Sequence, residues 1–286
     1  MNGDMQRWTP NVASIIEHAR EFHPDKEVIS RMVSGDIHRT NYAEVCLRSR
    51  KLASALEKDG YKKGDVIATL ALNTYRHLEM YYGISGMGAI CHTLNFRLHP
   101  EQAVYIINHA DDKIIFCEVP FIPILEGLQD QLKCVEKYII LCDASDMPDT
   151  NLKNAVSYEE YIDTGDDSYI WPAMDDDAAC GLCYTSGTTG NPKGVLYSHK
   201  SNILHAQASL VGMPIGPDES ILMVVPLFHV LAWGIPYYGP MNGSKLVMPG
   251  MQMEGEPLYD LIEKEEVTLA FGVPTIWMGL LAYCRD

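Results

Sequence analysis

The densest concentration of chemically useful groups in the sequence is Tyr184-Thr185-Ser186-Gly187-Thr188-Thr189-Gly190-Asn191-Pro192-Lys193-Gly194-Val195. Thr185, Ser186, Thr188 and Thr189 offer hydroxyl donors in close succession, and Lys193 adds one compact positive charge. Gly187, Gly190 and Gly194 lack a Cβ, so the backbone can turn tightly and bring its N–H groups close to an anion. A polyphosphate needs this combination of converging donors and an offsetting cation. The order of residues separates the segment from two other phosphate motifs. A Walker A loop has Gly-Lys followed directly by Ser or Thr at the start of a helix. Here Pro192 precedes Lys193, and Gly194-Val195 leads into a strand-like run. Gly83, Gly86 and Gly88 have the wrong spacing for a dinucleotide fingerprint and lie in a helical segment, where close helix packing explains them.

Three other groups were weighed for chemistry. His229 stands among apolar residues, where a lone histidine is ordinarily structural. Cys180-Gly-Leu-Cys183 precedes a strand and loop rather than opening a helix, and no second pair completes a zinc set, so core packing is expected. Asp175-Asp176-Asp177 lacks the spacing of a calcium loop and reads as solvated chain. His199 and His205 are expected to be structural.

The elements that must hold these groups follow from periodicity. Short apolar runs such as VIATLAL, AICHTL, KIIFC and KYIILC alternate with helical segments from Tyr75, from Pro100 and from Phe121. That alternation predicts βαβ units and an α/β fold of parallel sheets flanked by helices. Asn41 followed by Glu44 predicts a capped helix, Ser34-Gly35 a hairpin, and Pro10 an N-terminal helix after Thr9. Beyond the glycine-rich loop the pattern continues as GVLYSH strand, a helix from about Ser201, ILMVV, SKLVM, a Pro257-capped helix, VTLAFG and a helix from Pro274. The acidic stretch from Asp163 to Asp177 predicts a linker between two lobes, residues 1–170 and residues 178–286.

The segment YTSGTTGNPKGV closely resembles the phosphate-loop signature of the adenylate-forming superfamily. Ser198-His199 and Pro226-Leu227-Phe228-His229-Val230 resemble its next landmarks. Asn95 to Gln102 together with Asn108-His109-Ala110 resembles the fatty-acyl-CoA and methylthiopropionyl-CoA ligase branch. The resemblance implies the large N-terminal domain of such enzymes and an ATP-dependent acid–CoA ligase. Acyl adenylate and pyrophosphate form first, and coenzyme A then displaces AMP. It implies that Thr185, Ser186, Gly187, Thr188, Thr189, Gly190 and Lys193 hold the ATP phosphates, with the Thr185 hydroxyl near Mg²⁺. It implies that His229 is the active-site residue bordering the carboxylate, and that His229, Val230, Trp233 and Gly234 line the acid. A homodimer is implied too. Family members are about twice this long. The resemblance places a Thr-Glu segment, a ribose-binding Asp and a lid domain past Asp286, so an N-terminal fragment without activity of its own is expected. A non-catalytic nucleotide- or acyl-binding module, or an adenylating enzyme with another acceptor, are the alternatives; the spacing of His229 and Trp233 favours a CoA ligase.

Composition narrows the partners. The net charge of −16 repels phosphate backbones, which excludes nucleic acid and an anionic membrane surface as expected partners. The apolar stretch from Ile221 to Met241 is broken by Pro226, His229, Pro236, Gly239 and Pro240, so no membrane insertion is expected. Eight scattered cysteines do not form a disulfide framework, and a cytoplasmic location is expected.

Overall fold

Apolar periodicity translates into regular elements along most of the chain. The computed structural model describes residues 8–175, 177–185 and 191–285, together with Met5. In chain order the helices are α1 (Ala13–Phe22), α2 (Tyr42–Lys58), α3 (Tyr75–Gly86), α4 (Pro100–Ala110), α5 (Ile122–Leu128), α6 (Tyr158–Asp163), α7 (His199–Gly212), α8 (Ile235–Asn242), α9 (Gly255–Lys264) and α10 (Pro274–Tyr283). The strands are β1 (Glu27–Arg31), β2 (Ile37–Asn41), β3 (Val66–Leu70), β4 (Ile90–Thr93), β5 (Asp112–Cys117), β6 (Lys137–Ile140), β7 (Ala155–Ser157), β8 (Ala179–Thr185), β9 (Lys193–Ser198), β10 (Ser220–Met223), β11 (Lys245–Met248) and β12 (Leu269–Phe271).

Local chemistry sets several boundaries. The Asn41 side chain accepts the Glu44 N–H at 2.9 Å and starts α2 where the sequence predicts. Helix α7 begins at His199 rather than Ser201, because Ser198 and Ser201 cap each other reciprocally. Helix α1 begins at Ala13 rather than Pro10; the Asn11 side chain accepts the Ala13 N–H at 2.9 Å. Helix α8 has no counterpart in the periodicity reading, since it contains Pro236 and Pro240; Pro236 sits in the first turn, where its missing N–H is not needed.

Among the described residues the strands form two sheets. One is five-stranded, in the order β12-β10-β11-β1-β2, and the other seven-stranded, in the order β7-β6-β5-β3-β4-β8-β9. Pairing is parallel except for β1 with β2 and β8 with β9. The division expected at residues 170 and 178 does not follow these sheets. Strand β1 pairs with β11, and β4 pairs with β8, so both sheets draw strands from both sides of the acidic stretch. The stretch itself is pinned rather than freely solvated. A Cβ on Gly165 would lie 1.9 Å from the Lys51 carbonyl, and Trp171 donates its indole N–H to Glu17 at 2.7 Å. Sequence order could not reveal this, because the strand neighbours are more than a hundred residues apart for β1 and β11.

Helix α3 is buried along its whole length, touching β1 of one sheet and β3, β4 and β8 of the other. The glycines singled out in the sequence permit that packing. A Cβ on Gly83 would lie 2.8 Å from Leu52, and one on Gly86 would lie 2.6 Å from Trp171. The outer faces are covered separately. Residues of α4 and α5 pack on β3, β5 and β6, while Leu258 and Leu261 of α9 pack on β1, β10 and β11.

Candidate functional site

Strand β8 alternates its side chains, and its two faces meet different parts of the molecule. Gly181, Cys183 and Thr185 share one face. The Leu231 side chain approaches to 3.0 Å of where a Cβ on Gly181 would lie. The Cys183 sulfur is 3.3 Å from Thr93 Oγ1. Thr185 follows on this face, exposed at the carboxyl end of the strand. In the antiparallel hairpin Thr185 stands opposite Lys193, so the two side chains leave the sheet on the same side. The first hydroxyl of the motif and its cation therefore emerge toward the segment that carries His229. Ser186, Gly187, Thr188, Thr189 and Gly190 lie outside the described residues.

The second wall is the segment from Pro226 to Gly234, which follows β10. Asn73, buried between the sheets, donates to the carbonyls of Met223 at 2.7 Å and Val225 at 2.9 Å, and accepts the Leu227 N–H at 2.8 Å. The Tyr81 and Tyr82 hydroxyls of α3 donate to the carbonyls of Leu227 and Pro236. Thr93 reaches the Phe228 carbonyl at 3.4 Å, and the Phe96 ring meets the Phe228 ring edge-on at 5.0 Å. Within this frame Val230, Leu231, Ala232 and Trp233 all have left-handed backbone, with φ of 46°, 48°, 49° and 55°, followed by Gly234 at 83°. Each non-glycine residue there costs about 1–2 kcal/mol against its right-handed form. The turn is held because Leu231 and Ala232 are buried. Its consequence is that His229, Val230 and Trp233 are turned outward, with Val230 42% and Trp233 39% exposed. Two large apolar side chains presented to solvent by a strained turn form a surface suited to an apolar ligand.

The remaining sequence candidates fall away from this pair of walls or support it. His199 is buried; its Nδ1 accepts the Val12 N–H at 3.1 Å, and burial holds its pKa down to about 4, so it is a neutral structural residue. Cys180 and Cys183 are buried, and burial pushes the Cys180 thiol up to about 12, as expected for packing rather than redox chemistry. His205 packs against the turn. It is exposed on α7, and its ring closes on Gly234, where a Cβ would lie 2.6 Å from Nδ1. The residues that sequence reading missed are Asn73, Thr93 and Tyr81. They are isolated polar side chains inside apolar runs, and only their burial against a distant loop marks them.

A second cleft of 1130 Å³ opens between the β1–β2 hairpin and residues 141–146, lined by Arg48, Arg76, Glu118 and Glu159. Its arginines are already engaged: Arg48 by Glu79 and Glu159, Arg76 by Glu159, Asp143 and the Leu141 carbonyl. It thus offers a phosphate little, and neither Thr185, Lys193 nor His229 lines it. Among the described residues no group of three or more His, Cys, Asp or Glu could hold a metal ion, and no helix is long and apolar enough to cross a membrane.

The chain is 46% identical over 284 residues to the medium-chain-fatty-acid–CoA ligase of Ectopseudomonas oleovorans, covering 99% of this chain and 52% of that protein. It is 45% identical over 285 residues to the 3-methylmercaptopropionyl-CoA ligase of Ruegeria lacuscaerulensis, covering 99% and 53%. The chain spans about half the length of the curated relatives it matches. Its fold is that of an anthranilate CoA ligase crystallised in complex with anthranoyl-AMP, with a TM-score of 0.84 at 20% identity over 100% of this chain and 54% of that one. Residues 16–286 match the family model described as AMP-binding enzyme, and the chain belongs to the AMP-binding enzyme family.

Proposed function

We propose that this chain supplies the phosphate- and acid-binding walls of an ATP-dependent acid–CoA ligase acting on a fatty or related aliphatic carboxylic acid. The observation that carries the reading is the cross-strand pair Thr185–Lys193, which emerges on the β8 face that Leu231 covers at Gly181. Thr185, Ser186, Gly187, Thr188, Thr189, Gly190 and Lys193 grip the β- and γ-phosphates of ATP. The acid carboxylate, bordered by His229, attacks the α-phosphorus; the bond to the bridging oxygen breaks and pyrophosphate leaves. The thiol of coenzyme A then attacks the acyl carbon, and AMP departs. Lys193 acts by offsetting charge that shifts toward the leaving pyrophosphate, and the loop acts by fixing the triphosphate in line with the carboxylate.

Val230, Trp233 and Gly234 line the acyl chain. A wall of this apolar character favours an aliphatic tail, and the relatives named above act on fatty and methylthio acids. Magnesium fits a donor set of one exposed Thr185 hydroxyl beside triphosphate oxygens and water, and would neutralise phosphate charge there. Eight free cysteines favour a reducing, cytoplasmic setting, and the family resemblance favours a homodimer.

The test joins residues 1–286 to the remaining half of a relative and measures acid-dependent AMP release with aliphatic acids of increasing length. AMP and acyl-CoA in equal amounts are expected. ATP binding with no AMP release from any acid would favour a non-catalytic binding module, and adenylate formation without transfer to coenzyme A would favour another acceptor.

A further inference from the structure

Tyr184 lies one residue before Thr185 and on the opposite face of β8, away from the turn that carries His229. It is enclosed from three sides. Its hydroxyl shares a 2.6 Å hydrogen bond with His109 Nδ1 on α4. The His92 ring lies 5.2 Å away, tilted by 44°. Across the hairpin its partner is Gly194, where a Cβ would lie 3.2 Å from the Tyr184 ring, so the ring spreads over β9 only because that position has no side chain.

Behind Tyr184 stands a buried, hydrogen-bonded histidine–carboxyl pair. His92 Nδ1 is 2.9 Å from both carboxylate oxygens of Asp112, and the two side chains are 1% and 0% exposed. His92 Nε2 is buried with no hydrogen-bond partner among the described residues. Such a pair is a poor source of stability, since apolar residues of similar volume often do as well or better. Its place in the fold gives it another use. His92 is in β4, Asp112 opens β5, and α4 with His109 runs between them, so one stretch of chain holds Tyr184 at both its ring and its hydroxyl. The same stretch sends Phe96 to Phe228 on the other wall.

We propose that Tyr184 is a positioning residue for the triphosphate. The His109 hydrogen bond and the His92–Asp112 pair fix the Tyr184 ring across the base of the β8–β9 hairpin, and so fix the direction in which Thr185 and Lys193 leave the sheet. This rests on the reading of the hairpin loop as the phosphate site. It gives a task to the Asn95–Ala110 segment, which the reaction itself does not use.

The experiment titrates Mg-ATP into residues 1–286 as wild type, Tyr184→Phe, Asp112→Asn, Lys193→Ala and the Tyr184→Phe/Lys193→Ala double variant. Tyr184→Phe is expected to weaken ATP about five-fold, the scale of one net hydrogen bond, with an unchanged melting temperature, and Asp112→Asn to act in the same direction. The double variant should bind more tightly than the product of the single effects implies, because the direction of an absent lysine no longer matters. If Lys193→Ala weakens binding while Tyr184→Phe and Asp112→Asn bind as wild type, the positioning role is overturned and the loop reading stands. Fully multiplicative effects also overturn it. Wild-type affinity in Lys193→Ala, or no binding by the wild type, overturns the loop reading and this inference together. Should Asp112→Asn not fold, His109→Gln at an exposed position replaces it.

Discussion

The two walls of the candidate site are built in opposite ways. The β8–β9 hairpin is paired in continuous register from Gly181–Tyr197 to Thr185–Lys193, beyond a register shift at Ala179–Gly181, and the groups it carries are consecutive residues. The Pro226–Gly234 wall has no regular element. Its backbone is left-handed at four successive non-glycine residues and is held by Asn73, Tyr81, Tyr82 and Thr93 from distant parts of the chain. Under the proposed function the first wall would carry fixed donors for a ligand that is the same in every turnover, and the second would present side chains for a ligand that varies. A strained turn stabilised from outside can change its exposed residues without changing its path, whereas a phosphate loop cannot.

The largest expected effect separates the walls most sharply. Lys193→Ala, in residues 1–286 completed with a relative's remaining half, should slow acid-dependent pyrophosphate exchange by about 10²–10³-fold. Its melting temperature should stay at the wild-type value, because Lys193 is exposed. A wild-type exchange rate would remove the hairpin from the site.

Asn73→Ala attacks the other wall from beneath. It leaves two carbonyls and one N–H without their partner, which should cost about 3 kcal/mol in urea unfolding at an unchanged slope. ATP affinity should fall far less than in Lys193→Ala. Equal loss of ATP binding in the two variants would show that the walls are not separable.

Trp233→Ala tests the exposed surface of the turn. The profile of accepted acid chain lengths should shift, each methylene being worth about 1–3 kcal/mol, with ATP affinity retained. An unchanged profile would leave Trp233 outside the acid site. The smallest effect has the unusual sign. Val230, at φ 46° and 42% exposed, should tolerate glycine with a gain of about 1 kcal/mol in stability, since glycine has no left-handed penalty and little burial is lost. A loss would mean that the turn is not left-handed there.

How far each wall could be read from the sequence follows from the same contrast. The pairing of Thr185 with Lys193 was legible because the strand runs on either side of the glycine-rich segment predict a hairpin. The acidic stretch does not separate the two sheets. Asp163 and its neighbours are largely exposed as expected, yet Trp171 and Gly165 tie the stretch to α1 and α2, and the chain re-enters the sheet it had left. The contact of His205 with Gly234 could not be read, because nothing in a helical run announces a ring closing on a distant glycine.

Residue order alone thus determined the α/β alternation, the run of hydroxyls, glycines and lysine on which the phosphate proposal rests, and the family the chain belongs to, since each depends on neighbours within a dozen positions. Only the tertiary structure decided which strands share a sheet, that Thr185 and Lys193 face the His229 turn, and that Asn73 and Thr93 hold that turn in place. Those arrangements rest on pairings between residues up to more than two hundred positions apart, as between β1 and β11, and no local periodicity records which distant strand or carbonyl a buried polar group will meet.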